Sequence, residues 1–345
     1  MAGIRELFFY VSGEHETLPR AEVRAILEAE GFPYRNVAVF PRLLCLESDV
    51  NCLPTVASRS VFTKSCGLVV LKCEARKEVI LSAAERVGCS SFIEAGQTFS
   101  VKIERTMRSG TDVKELESAI GRIILRQHQG VKVKLTNPDV VFFGLLSPDI
   151  FILGKRVCES SRVFLKRKLS SQPFFHPSSM LPRLARGMVN LARLRAGSLV
   201  LDPFCGTGSI LVEAGLVGCR ILGSEISPEM VRGTLRNLRH FNLPCEGLVV
   251  SDARRLPFSR VDGIVTDPPY GRGASTHGAS ARGIVSDFLA EALDVLPRGG
   301  CVSIAFPDDL GIREISESLG YIGVERHLVR EHKSLTREIS VFQKP

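Results

Sequence analysis

Four short apolar runs, each followed by an acid, constrain this chain more than any other feature. Ser198 to Leu201 leads to Asp202, Arg220 to Ser224 to Glu225, Gly247 to Val250 to Asp252, and Gly263 to Thr266 to Asp267. Helical patterns lie among them, at Leu181 to Leu194, Ile210 to Ala214, Pro228 to His240 and Asp287 to Leu296. Buried strands alternating with helices predict a mostly parallel sheet covered on both faces. Residues 301–306 and two closing strands near 321–329 and 337–343 would finish it at seven strands. In such a sheet the four acids meet at the carboxyl edge, where open α/β folds bind ligands. One acid at a strand end is commonplace; four in register point to a single extended ligand.

The first acid opens Asp202-Pro203-Phe204-Cys205-Gly206-Thr207-Gly208-Ser209. Its glycines let backbone approach a ligand closely, and the helix that follows presents free N–H groups. The pattern is a nucleotide-type loop, but neither the dinucleotide fingerprint nor a phosphate loop. Glu225, followed by Ile226, can accept both hydroxyls of a ribose. Asp252, followed by Ala253, can accept an adenine amino group. Asp267-Pro268-Pro269-Tyr270-Gly271 places a charge, stiff carbonyls and a flat ring at one strand end. A carboxylate and the Pro268 carbonyl could hold the two N–H groups of a nucleobase amine while Tyr270 stacks on the base. Read alone, the same string is also an ordinary strand-to-loop turn.

Composition narrows the class. With 345 residues, 44% hydrophobic and 24% charged, the chain can bury more than one core. No apolar run approaches the ~20 residues of a membrane span. The start lacks a signal peptide's features, so a cytoplasmic protein is expected. Ten cysteines form no C-x-x-C pair and the seven histidines no ligand spacing, so no metal site is expected. The net charge of +8 favours a polyanionic partner. Residues 1–170 hold 25 Lys and Arg against 19 Asp and Glu, whereas the remainder holds 20 against 18. Gripping and chemistry therefore look divided along the chain.

Residues 1–56 read as a small α/β subdomain with a helix from Pro19 to Glu30. A second α/β pattern occupies 57–157, with strands at 98–104, 131–135, 139–145 and 150–153 and a helix from Thr111 to about Gln129. The Phe99-Ser100-Val101-Lys102 strand with Arg105 and Arg108, the Ile120-Gly121 helix, and Lys132-Val133-Lys134-Leu135 before Asn137-Pro138 resemble a THUMP domain. That resemblance implies RNA binding through Lys102, Arg105, Arg108, Lys132 and Lys134. A basic junction from Lys155 and Arg156 to Lys166, Arg167 and Lys168 reads as a linker, placed at 158–172, that can contact phosphates. Residues 173–345 then form the catalytic domain. Within it the glycine-rich run Gly271 to Gly283 reads as a mobile loop, with Arg272 or Arg282 on a phosphate.

The ordered set of Asp202-Pro-Phe-Cys-Gly-Thr-Gly-Ser, Glu225, Asp252 and Asp267-Pro-Pro-Tyr-Gly resembles S-adenosylmethionine-dependent methyltransferases of Rossmann-like fold. With the THUMP-like region and Phe175-His176-Pro177, nearly the whole chain is similar to tRNA guanine-N2 methyltransferases acting at position 10, and in length to the archaeal dimethylating form. The resemblance implies that Asp202, Phe204, Cys205, Gly206, Thr207, Gly208, Glu225, Ile226, Asp252, Ala253 and Asp267 hold S-adenosylmethionine. It assigns catalysis to Asp267, Pro268 and Tyr270. It further implies a monomer that binds tRNA without requiring the small partner subunit of the longer eukaryotic form. His176 either lines the cofactor pocket or holds the hinge. Two other readings stay open: an N6-adenine methyltransferase on other RNA or DNA, and an RNA-binding protein with an inactive methyltransferase fold.

Overall fold

The computed structural model describes residues 3–106, 112–160, 172–269, 280–332 and 335–345. The chain divides into two compact units, one of Met1–Glu14, Phe32–Ser58 and Thr63–Ser160, the other of His15–Gly31, Arg59–Phe62 and Ser161–Pro345.

In the first unit, β1 (Ile4–Val11), β2 (Tyr34–Phe40), β3 (Leu43–Asp49), β4 (Thr63–Glu74), β5 (Thr98–Arg105), β6 (Lys132–Val133), β7 (Val140–Leu146) and β8 (Ile150–Glu159) make one sheet. Their order is β2-β3-β1-β4-β8-β7-β5-β6. One face packs against the helices Lys77–Val87 and Val113–Gln127. Leu116, Ile120, Ile123 and Ile124 of the latter are buried at helical spacing in one core with Phe99, Phe142 and Phe151. Asp112 caps that helix by accepting from the Lys114 N–H at 2.9 Å. Phe8 stacks on Phe143 at 5.8 Å in a separate core.

Local expectations need correction here. Lys155–Glu159, expected within the basic junction, is strand: β8 runs on to Glu159 and pairs with β4, Arg156 opposite Gly67 and Cys158 opposite Cys66. Half-buried Arg156 and Cys158 alternate with exposed Val157 and Glu159, a strand period that the density of charge hides. The strand expected at 131–135 is only Lys132–Val133. An unexpected helix, Cys52–Arg59, buries Cys52, Leu53, Val56 and Ala57 at helical spacing.

The second unit carries the predicted seven-stranded sheet. It consists of β9 (Leu199–Asp202), β10 (Arg220–Glu225), β11 (Gly247–Val250), β12 (Gly263–Thr266), β13 (Cys301–Pro307), β14 (Ile322–His332) and β15 (Leu335–Gln343), ordered β11-β10-β9-β12-β13-β15-β14. Only β15 runs antiparallel to its neighbours. Side chains alternate between two helical layers. Val200, Ile221, Val265 and Val341 share a core with the helices Pro182–Leu191 and Ser209–Leu216. Leu201, Ile264, Ile304 and Phe342 share another with Phe288, Leu289 and Ala292 of the helix Ala281–Val295. That helix begins six residues earlier than expected, which removes Ala281 to Gly283 from the anticipated loop. The Ser280 hydroxyl accepts from the Gly283 N–H at 3.0 Å, and this cap offsets the poor helix propensity of glycine.

Helix Leu18–Ala29 packs within this second unit, through Leu18, Ala21 and Ala25 against the core that holds Ala185 and Met188. Its Glu22 is fully buried and accepts from the Val61 and Phe62 N–H groups at 3.0 and 3.1 Å, from Ser60 Oγ at 2.5 Å and from Asn190 Nδ2 at 2.7 Å. Burial raises its pKa, and the donors oppose that rise.

Candidate active site

The order of the catalytic sheet reverses between β9 and β12, so their carboxyl ends form a switch point, the place where open α/β sheets bind ligands. Asp202 and Asp267 stand on either side of it. Asp202 is 1% exposed; its Oδ1 accepts from Thr266 Oγ1 at 2.7 Å and from the Phe204 N–H at 3.2 Å, so a hydroxyl at the end of β12 anchors the acid of β9. Burial pushes Asp202 up to about 7, with the negative charges of Asp267 and Glu225 adding to the rise.

The loop after Asp202 turns through two glycines in the left-handed region, Gly206 at φ +50° and Gly208 at φ +82°. A Cβ on Gly208 would lie 2.7 Å from Thr234 Cγ2, whereas one on Gly206 would meet nothing nearer than the Phe204 carbonyl at 4.0 Å. Gly208 therefore allows close packing beneath the loop, and Gly206 faces open space. The helix Pro228–His240 clamps the loop from below. Thr234 Oγ1 donates to the Gly206 carbonyl at 2.6 Å and Asn237 Nδ2 to the Thr207 carbonyl at 2.9 Å. Buried Cys205 has its thiol held well above its usual pKa by desolvation, which leaves it a packing residue rather than a nucleophile.

Glu225 ends β10 with its carboxylate on the loop, accepting from the Gly206 N–H at 3.1 Å and the Ser227 N–H at 3.0 Å. Ile226 is 48% exposed directly beside it, while Ala253 is buried. Asp252 accepts from Arg254 through the backbone N–H at 3.0 Å and Nη2 at 2.7 Å; the Arg254 hydrogen bonds hold it below the usual carboxylate range. Half-buried Glu225, exposed Ile226 and the open backbone of Gly206 thus lie side by side at the end of β10. Asp267 follows β12 with its carboxylate 14% exposed, and Arg337 Nη1 donates to Oδ2 at 2.9 Å. Pro268 is buried and Pro269 half-buried behind it.

Several contributors carry no local sequence signal. Thr234, Asn237, Thr266 and Arg337 sit inside regular elements and look like ordinary helix or strand residues. The Phe174–Ser179 segment reaches the loop too. Asn237 accepts from the Phe174 N–H at 3.0 Å, and Thr207 Oγ1 donates to Ser179 Oγ at 2.9 Å. His176 is half-buried, with Nδ1 at 2.7 Å from Ser178 Oγ.

Among the basic residues, the first unit brings Lys102 on β5 and Lys132 on β6 to neighbouring strands, both exposed, with exposed Lys134 just beyond. The Lys134 N–H donates to the Phe99 carbonyl at 2.8 Å, which keeps it alongside β5. Arg105 is exposed at the end of β5. Lys155 and Arg156 are half-buried, and Arg156 pairs with Glu159 at 3.1 Å. Arg282 donates to the Gly311 carbonyl at 3.1 Å. Tyr270, Arg108, Lys166, Arg167, Lys168 and Arg272 lie outside the described residues.

Comparison with known proteins bears on the fold and the family. Residues 170–337 match the RMKL-like methyltransferase domain, and residues 74–154 match the THUMP domain. TrmN from Thermus thermophilus shares the fold, with a TM-score of 0.56 at 23% identity over 99% of this chain and 100% of that one. The tRNA (guanine(10)-N2)-dimethyltransferase of Methanocaldococcus jannaschii is 30% identical, over 97% of this chain and 99% of that protein. Its counterpart in Methanothermobacter thermautotrophicus is 36% identical over 98% of this chain and 99% of that protein. Similarity of that degree over the full length places the chain in the tRNA (guanine(10)-N2)-dimethyltransferase family.

Proposed function

We infer that this protein transfers methyl groups from S-adenosyl-L-methionine to the exocyclic N2 of guanosine 10 in tRNA, giving N2-methyl- and N2,N2-dimethylguanosine. The observation that carries the reading is the Asp267-Pro268-Pro269 turn at the end of β12, joined through Thr266 to the acid that opens the glycine loop. Amine holder and cofactor loop thereby share one crevice.

The cofactor, when bound, supplies a methyl group on a sulfonium, a good leaving group that leaves the protein mainly the work of alignment. Glu225 would take the ribose hydroxyls, Ile226 and Ala253 would flank the adenine, and Asp252 would accept its amino group. The backbone of Gly206 and Gly208 would line the methionine part. On the substrate side, the guanine amine offers two N–H donors and a lone pair delocalised into the ring. Accepting those hydrogens on Asp267 and the Pro268 carbonyl turns the lone pair out of conjugation and toward the methyl group. Asp267 then receives the proton released as the N–C bond forms. Tyr270 would supply the stacking surface, and Lys102, Arg105, Lys132 and Lys134 of the THUMP region would hold the tRNA backbone. The protein would act as a monomer in the cytoplasm, without requiring an activating subunit.

Methyl transfer from labelled S-adenosylmethionine to unmodified tRNA transcripts, with nucleoside analysis, tests the reading. N2-methylated guanosine that disappears in Asp267→Ala supports it; methyladenosine, or no product, overturns it.

A further inference from the structure

Beyond the residues assigned so far, Arg337 touches the acceptor carboxylate itself. It sits on β15, which lies between β13 and β14, and its backbone is in register with Pro307 on one side and Val329 on the other. Its guanidinium crosses to Asp267, 70 residues away in sequence, with Nη1 2.9 Å from Oδ2. The two side chains are only 11% and 14% exposed. A charged donor on a strand paired along both edges is a rigid support, and a carboxylate held by it loses rotational freedom.

We propose that Arg337 is a positioning residue that fixes the Asp267 carboxylate, and that its contribution falls mainly on the second methyl transfer. The proposal rests on the guanine-N2 reading. In the first transfer the amine has two N–H groups, so Asp267 and the Pro268 carbonyl together determine its orientation. N2-methylguanosine retains one N–H. A single hydrogen bond leaves the substituted amine free to rotate about it, and the direction of the lone pair then depends on how firmly the accepting carboxylate is itself held. Arg337 provides that firmness from the side of the strand.

The test uses the full-length protein as wild type, Arg337→Met and Arg337→Lys. Single-turnover rates are measured on an unmodified tRNA transcript and on the same tRNA already carrying N2-methylguanosine at position 10. In Arg337→Met the first transfer should slow about tenfold and the second about a hundredfold, so that monomethylated product accumulates. Cofactor and tRNA affinities, measured by calorimetry, should stay within about twofold of wild type. Arg337→Lys, which restores a charge without the planar donor group, should recover part of both rates and still favour the monomethylated product. Equal losses in the two transfers, or a wild-type product ratio in both variants, would overturn the proposal. Should the Met variant fail to fold, the product ratio of the Lys variant decides alone. Failure of the underlying reading looks different, because wild type would then give no N2-methylguanosine.

Discussion

The two units differ in how deeply they bury charge. In the first unit, Lys102 and Lys132 stand exposed on adjoining strands with exposed Lys134 just beyond, and ion pairs such as Arg35 with Glu47 lie open to solvent. The second also has open pairs, such as Arg220 with Glu246, but adds charged groups that are withdrawn and individually held: Asp202 by Thr266 and Phe204, Glu22 by four donors, Glu213 by Arg186 at 2.8 Å with 1% and 4% exposure. Exposed charge acts over several ångströms, tolerates displacement and is weakened by salt. Buried charge acts through fixed hydrogen bonds and is sensitive to small shifts. One arrangement suits holding a long polyanion, the other suits aligning a single amine.

Disturbing that contrast should have graded effects. The largest is expected for Asp267→Ala, about a thousandfold in kcat from losing both aligner and proton acceptor, with a far smaller loss of cofactor affinity measured by calorimetry. An equal loss of cofactor binding would instead make holding the cofactor the main role of Asp267. Next, Glu22→Ala strips the acceptor from buried donors and should destabilise the second unit by about 3 kcal/mol in urea unfolding. Asp202→Asn probes the buried acid through pH. The carboxyl of folded Asp202 titrates near 7, above its ordinary value of 3.8, so its contribution to stability is full below 3.8 and is lost as pH rises through 7. The Asn variant lacks that loss and should gain about 2 kcal/mol on wild type between pH 5 and pH 8. A constant difference across that range would show that Asp202 ionises freely in the fold. The smallest effect belongs to the exposed side: Lys132→Glu with Lys134→Glu should weaken tRNA binding about tenfold and flatten its dependence on salt, leaving cofactor affinity untouched.

How much of this was legible in the sequence follows the same divide between local and distant. The catalytic sheet could be read because each strand is a continuous apolar run ending in an acid, and the order of those acids along the chain matches their gathering at one edge. The extension of β8 was hidden, because Lys155 and Arg156 read as solvated charge unless the pairing with β4 is known. The start of the helix at Ala281 was hidden by the glycine-rich sequence around it, which a single serine cap overrides. Arg337 could not be found locally at all. Its role depends on where β15 returns in the sheet, and nothing in Thr336-Arg337-Glu338 distinguishes it from the other charges of a closing hairpin.

The placement of helix Leu18–Ala29 within the second unit has a consequence for how the protein is made. Glu22 leaves the ribosome 168 residues before Asn190, one of the groups it binds. At ordinary elongation rates of about 5 to 20 residues per second, that helix waits on the order of ten to thirty seconds for its partner. During that interval Leu18, Ala21 and Ala25 have Val61 and Phe62 but not Ala185 and Met188 to pack against, and Glu22 lacks its Asn190 donor. Strands that flank the helix can pair in the meantime, so the early product of translation is a sheet carrying an unclaimed amphipathic helix.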